Sequence, residues 1–291
     1  MINRIGGMAM WEQQLIKTSR GTFEAFTKGE GKPICITHHY SEFNANGNLF
    51  ANPFTEHYQV FLVNLRGTTN SAPSESETDL SMGETVKDLE AIRKALNFED
   101  WAFAGHSAGG MLGLVYALNF PESLTKIFVC GAAASKNYMM HPDSIYCKEN
   151  PNNPRLRECL QILNNPESSP EERRTAGRDW YAMSLYRPEK MDEYTSKPNS
   201  GKSVPKRLDY FAYKEVHNFD LTEQLSDITV PTLVACGRYD AQCPHDCCVE
   251  IAEGIPHSKL ITFEESNHNP FVEEPEKFVA AVKEFYLHKM F

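Results

Sequence analysis

The sequence lacks any run approaching about 18 consecutive apolar residues, so no transmembrane helix is expected. Its opening stretch, MINRIGGMAMW, lacks the apolar segment of roughly 7–15 residues and the cleavage site of an export leader. Clusters of basic residues are missing too. The chain has 29 Lys and Arg against 39 Asp and Glu, a net charge of −10 at pH 7. A nucleic-acid surface needs grouped Lys and Arg to displace counterions, and an acidic protein is repelled by anionic membranes. The expected partner is therefore a small-molecule substrate, with neither nucleic acid nor membrane, on a monomer or homodimer. There is no internal repeat and no low-complexity tract.

What is present suits a large globular unit. The apolar residues make up 41% of 291, enough to bury a sizeable core without covalent staples. Of the eight cysteines, Cys35, Cys130 and Cys236 fall inside strand-like apolar runs, where they act as small buried hydrophobes. With no export signal, reduced thiols in a cytoplasm are expected.

Short apolar runs alternate with helical patterns, which predicts a mostly parallel sheet with crossover helices. The runs are Pro33 to Thr37, Val60 to Asn64, Trp101 to Ala104, Lys126 to Gly131, Pro231 to Gly237 and Lys259 to Phe263. Antiparallel strands around Leu15–Thr18 and Thr22–Thr27 are expected to begin the sheet. Ser81 and Glu84 have the spacing of a capping box, ahead of Val86, Leu89, Ile92 and Leu96 at helical intervals. A second helix is expected over Ala108–Asn119, stopped by Pro121. A last one, from about Glu276 to Leu287, is expected to turn Phe278, Val279, Val282 and Phe285 to the core.

From Ser135 to Asn218 this rhythm breaks. The stretch is rich in Asn, Pro, Ser and charge, with no strand-like run but with helical pieces near Arg155–Leu163 and Glu171–Tyr186. A structureless loop of that length is uncommon in a compact domain, and Trp180, Tyr181, Met183 and Tyr186 need burial. The expected organisation is a core over 1–134 and 219–291 with a helical cap over 135–218.

The chemistry is carried by Gly105-His-Ser107-Ala-Gly109, which lies between a strand and a helix and fits a nucleophile elbow. A serine hydroxyl is a weak nucleophile and needs a base, which in turn needs an orienting acid. Asp240 follows the strand ending at Gly237, and His268 follows the strand ending at Phe263. The order Ser, acid, His is the one this turn calls for, with Glu264, Glu265 and Asp246 as competing acids. The oxyanion donors expected are the backbone N–H of Ala108 and, after the strand Pro33–Thr37, that of Tyr40, with Ser41 as the near alternative.

These segments resemble the α/β-hydrolase family, in its cap-bearing group of proline iminopeptidases, epoxide hydrolases, cofactor-free haloperoxidases and small esterases. The resemblance rests on Asn64-Leu-Arg-Gly67, Gly105-His-Ser-Ala-Gly-Gly110, Val230 to Asp240, and Ser266-Asn-His268 followed by Glu273-Glu-Pro-Glu276. It implies an eight-stranded sheet with flanking helices and a helical cap, and a hydrolase using Ser107, His268 and Asp240 without cofactor or metal. It departs from the family at His38-His39, where His-Gly is usual, so that position 39 either crowds the oxyanion loop or adds a polar group to the pocket. It also departs at Asn64-Leu-Arg66-Gly67-Thr-Thr-Asn, which loses an acid and a glycine. The proline iminopeptidase segments His-Gly-Gly-Pro-Gly and Gly-Gly-Ser-Trp-Gly are missing, and Ser107 stands where epoxide hydrolases carry Asp.

The expected substrate is a small ester, lactone or amide, with His39, Ser41, Trp180 and Tyr181 as candidate binding residues. Slow-turnover small-molecule reception, peptidase activity, C–C hydrolysis and perhydrolysis are the alternatives on the same triad. Cys243-Pro-His245-Asp-Cys247-Cys248 has ligand types suited to zinc but no second ligand pair, and packed thiols are its default reading.

Overall fold

The computed structural model describes residues 4–5 and 8–287, so the ends of the expected core spans and part of the opening stretch lie outside the described residues. Eight strands form one sheet: β1 (Glu12–Thr18), β2 (Gly21–Lys28), β3 (Lys32–Ile36), β4 (Tyr58–Val63), β5 (Trp101–His106), β6 (Leu124–Cys130), β7 (Thr232–Gly237) and β8 (Ser258–Phe263). Their order is β8-β7-β6-β5-β3-β4-β2-β1. Of these, only β2 runs against the rest, pairing antiparallel with β1 and β4. The central strands are apolar along their whole length because helices cover both faces. All six residues of β7 are buried, whereas the edge strand β1 is mostly exposed and polar.

Successive residues feed two cores. Phe103, Ile127 and Val129 pack on one face against α1 (Met82–Ala95) and α2 (Ala108–Asn119). Ala104, Phe128 and Cys130 pack on the other with Phe50, Phe54 and α9 (Pro275–Leu287). The Ser81 hydroxyl caps α1 by accepting the Glu84 N–H at 3.2 Å. The expected reciprocal bond is not made: Glu84 turns to Arg20 and Lys87 instead, because an opposite charge outcompetes a neutral amide. In α9, Phe278, Val282 and Phe285 are buried, but Val279 is 36% exposed. It stands one step around the helix from the 278–282–285 stripe.

Between β6 and β7 the chain forms α3 (Asn153–Asn164), α4 (Pro170–Ala182), α5 (Met191–Thr195) and α6 (Pro205–Tyr210). Ser169 and Glu172 cap α4 reciprocally. Leu185, Met191 and Tyr194 make a small core of their own, with Tyr181 and Val272 against it. Tyr186 is exposed rather than buried and stacks on Tyr239. One extended piece interrupts the helices, contrary to expectation: Lys202–Ser203 pairs antiparallel with Ser41–Glu42. This ties the insertion to the loop after β3. Beyond β7 lie α7 (His245–Gly254) and, after β8, α8 (Pro270–Glu273). Among the described residues, no helix is long and apolar enough to cross a membrane.

Candidate active site

Ser107 joins β5 to α2 with φ 56° and ψ −123°, a region that side chains other than glycine avoid. Asn97 is the other non-glycine residue at positive φ among those described. The turn is held by close backbone approach. A Cβ on Gly105 would lie 2.1 Å from the Gly109 carbonyl oxygen, and one on Gly109 would lie 2.5 Å from that of Thr37. The two glycines of the motif thus let α2 start against both β5 and the end of β3. The Ser107 N–H donates to the Cys130 carbonyl at 2.8 Å, and Ala108 opens α2 with no intrahelical acceptor for its N–H.

His268 and Asp240 meet beside this turn. His268 Nδ1 lies 3.0 and 2.9 Å from the two oxygens of Asp240, and both side chains are buried. Asp240 Oδ1 also accepts the N–H groups of Gln242 and Cys243, each at 2.9 Å. A carboxylate that only accepts fixes the proton on His268 Nδ1 and leaves Nε2 with a lone pair. Gly131, next to the residue that anchors Ser107, packs under the pair: a Cβ there would stand 3.1 Å from Asp240 Oδ2 and 3.4 Å from the His268 ring. The structure therefore brings Ser107, His268 and Asp240 to the same edge of the sheet. The competing acids are elsewhere: Glu264 pairs with Arg238, Glu265 with Arg187, and Asp246 with His141.

Two further imidazoles surround the pair. The His106 ring lies 4.5 Å from that of His268, and its Nε2–H donates to the His268 carbonyl at 2.7 Å. Burial holds His106 well below the usual histidine pKa. His38 is pushed down to about 3, first by burial and then by the charges His39, His268 and Arg207 can carry. Its Nδ1 accepts from the Tyr40 N–H at 3.3 Å and sits 3.1 Å from the Ser41 hydroxyl. The Tyr40 amide, an expected oxyanion donor, thus rests on a long hydrogen bond inside its own loop.

His39 turns into the protein interior. Its ring is fully buried and bonds to Glu215 Oε2 through Nε2 at 2.8 Å and to Arg207 Nη2 through Nδ1 at 3.3 Å. Arg207 can only donate, so Nδ1 is the acceptor and Nε2–H points at Glu215. Arg207 also donates to the Arg66 carbonyl and the Thr85 hydroxyl, each at 2.9 Å, and Glu215 Oε1 accepts the Met82 N–H at the start of α1 at 2.6 Å. Position 39 is not on the cavity wall; its side chain bolts the loop after β3 to the insertion and to α1. The altered segment after β4 is also structural. Asn64 is buried, bonding both Phe43 backbone groups and Glu24, while Arg66 forms a two-point pair with Asp88.

A cavity of about 410 Å³ opens beside the site. Thr37, His38, Ser41, His106, Tyr181 and Asn269 are among the residues lining it; neither Ser107 nor His268 does, but their chain neighbours do. Of the candidate binding residues, Ser41 and Tyr181 face this cavity. Trp180 lies outside it, next to Tyr146, whose hydroxyl donates to Gln242 Oε1 at 3.0 Å.

Sequence reasoning assigns no role to Glu273 and Glu274, yet they shape the loop that carries His268. Glu273 accepts the N–H groups of Asn267, Tyr186 and Arg187, and Glu274 accepts the Ser266 hydroxyl at 2.6 Å. Their place in the matched segment after His268 is the one signal that marks them. Cys243, Cys247 and Cys248 are buried. His245 Nε2 sits 2.9 Å from Thr262 Oγ1, away from them.

Residues 36–275 match the family model described as alpha/beta hydrolase fold. The chain is 53% identical to an alpha/beta fold family hydrolase from Bacillus anthracis str. Sterne, with a TM-score of 0.93 over 95% of this chain and 99% of that one. It is 26% identical to a proline iminopeptidase of Heyndrickxia coagulans, over 91% of this chain and 94% of the relative. It is 25% identical to a putative carbamate hydrolase of Serratia proteamaculans, over 78% and 80% respectively. The chain belongs to the alpha/beta hydrolase fold family and is a hydrolase.

Proposed function

We propose that the protein cleaves a small ester, lactone or amide through an acyl-enzyme, with Ser107 as nucleophile, His268 as base and Asp240 as its orienting acid. The observation that carries this reading is the buried His268 Nδ1–Asp240 pair, which leaves Nε2 basic beside a serine held in a strained turn at the start of α2. His268 Nε2 takes the Ser107 proton as Oγ bonds to the carbonyl carbon. The carbonyl π pair moves to oxygen, and the imidazolium that forms is stabilised by Asp240. Collapse of the tetrahedral intermediate breaks the bond to the leaving group, which receives the proton from His268. Water then repeats the sequence on the acyl-enzyme, releasing the acid and restoring Ser107.

The oxyanion is received by the Ala108 and Tyr40 N–H groups, aided by the N-terminal end of α2. Tyr40 exchanges its 3.3 Å bond to a neutral His38 nitrogen for one to a full negative charge, a trade that favours the transition state over the resting state. The insertion over 135–218 acts as a cap that roofs the substrate. The relatives' names, proline iminopeptidase and putative carbamate hydrolase, are in keeping with hydrolysis at a carbonyl.

The test is steady-state hydrolysis of p-nitrophenyl esters of increasing acyl length by wild type and Ser107→Ala. Turnover that disappears in Ser107→Ala, with the fold intact by circular dichroism, supports the reading. Turnover that persists in that variant removes it.

A further inference from the structure

The cavity beside Ser107 has an uneven set of polar groups. Among the described residues no Asp or Glu lines it, in a chain of net charge −10, while one Lys does: Lys197, on the turn after α5. Lys197 is exposed and makes no ion pair or hydrogen bond with any described residue. The two imidazoles on the wall, His38 and His106, are neutral, so the ammonium group sets the charge of the cavity.

The wall's carboxamides and hydroxyls are largely committed to its own construction. Asn48 Oδ1 accepts the N–H groups of Phe50 and Ala51, Asn199 Oδ1 accepts that of Leu49, and Ser200 Oγ accepts that of Asn44. Uncommitted groups include two that only donate, the Lys197 ammonium and the Nε2–H of His38. The tautomer of His38 follows from its Nδ1, which accepts the Tyr40 N–H. An exposed cationic group and an N–H donor in one cavity whose walls include Phe43, Phe50 and Phe271 suit an apolar spacer ending in an anionic group.

We infer that the natural substrate bears a carboxylate or comparable anionic group on an apolar arm, and that Lys197 selects it from this cavity. The inference rests on the hydrolase reading of Ser107 and names the substrate class for that site. It also separates this chain from recognition of a protonated amine, which needs an acid in the pocket.

The experiment compares kcat/KM for two ester pairs at low ionic strength. On the acyl side the pair is p-nitrophenyl butyrate and mono-p-nitrophenyl glutarate; on the alcohol side it is phenyl acetate and para-carboxyphenyl acetate. The proteins are wild type, Lys197→Gln, Lys197→Arg and Lys197→Glu. In one pair, the ratio of carboxylated to neutral ester is expected to fall about two- to fivefold in Lys197→Gln, as for one solvent-exposed ion pair. It should be kept in Lys197→Arg, fall further in Lys197→Glu, and shrink in about 0.5 M salt. A ratio that no Lys197 substitution moves in either pair overturns the inference while leaving the hydrolase reading standing. Failure to hydrolyse any of the four esters, together with failure of Ser107 to react with a fluorophosphonate, overturns the hydrolase reading and the inference with it.

Discussion

Arg207 donates twice to one residue, from Nε to the carbonyl oxygen of His39 and from Nη2 to its ring Nδ1. The guanidinium is buried without a carboxylate in direct contact, and its charge is balanced at one remove, through the neutral imidazole, by Glu215. Burial lowers its pKa to about 10, which still leaves it charged at neutral pH. Through this arrangement the insertion fixes the loop that holds Tyr40. Arg207→Met leaves the His39 and Arg66 carbonyls without their donor and is expected to cost about 3 kcal/mol or more. It should also slow reaction of Ser107 with a fluorophosphonate about tenfold or more, through the misplaced loop. Urea denaturation and labelling rates check both; a variant with wild-type stability and rate contradicts the role.

Asp240→Asn keeps the size of the side chain but replaces the acceptor that fixes the His268 tautomer. The expected result is a loss of about 10³–10⁴-fold in kcat, with the fold retained. Stopped assays on a p-nitrophenyl ester measure it. A loss under about tenfold would move the acid's role to another carboxylate.

Acid lability follows from three histidines, His38 and His106 on the cavity wall and His39 in the interior. His38, His39 and His106 are all held below the ordinary 6.5, with burial the largest cause in each. Once unfolded they take up a proton near pH 6.5, while the folded chain does not. The unfolded state therefore binds more protons as pH falls through that value, and stability falls with it. The slope is about 1.4 kcal/mol per pH unit for each His that stays neutral, and for His38 it continues down to about pH 3. Urea midpoints between about pH 7.5 and 5.5 should decline ever more steeply; a flat profile counts against neutral burial.

The glycines divide into two kinds with opposite responses to alanine. Gly105→Ala sets a Cβ 2.1 Å from the Gly109 carbonyl oxygen and should destabilise by about 1–3 kcal/mol or more, with loss of Ser107 reactivity. Gly177, inside α4, has open space where a Cβ would stand, with nothing beyond its own helix backbone and chain neighbours within 4 Å; Gly177→Ala should stabilise by about 0.5–1 kcal/mol without touching activity. Thermal melts of the two variants give the comparison.

The strands, the elbow and the order Ser107, Asp240, His268 were legible because each depends on a local pattern: an apolar run, a glycine spacing, a polar residue just past a strand end. The fate of His39 was not. Its direction depends on Arg207 and Glu215, more than 165 residues away along the chain, and no local period encodes that meeting. The same holds for Glu273, which binds backbone N–H groups of both the His268 loop and the insertion. Val279 shows the complementary limit: an apolar residue near a core stripe is not thereby in the core, since side-chain direction is set by one step of helix rotation; Tyr186 lies past the end of α4 at Ala182, where no helical period applies.

The most direct test of the account is intact-protein mass spectrometry after exposure to a fluorophosphonate, with peptide mapping of the modified residue. The account expects a single adduct on Ser107, absent from Ser107→Ala and strongly slowed in His268→Ala. A well-folded wild-type protein that forms no adduct, or forms it at another residue, would contradict the assignment of Ser107 as nucleophile.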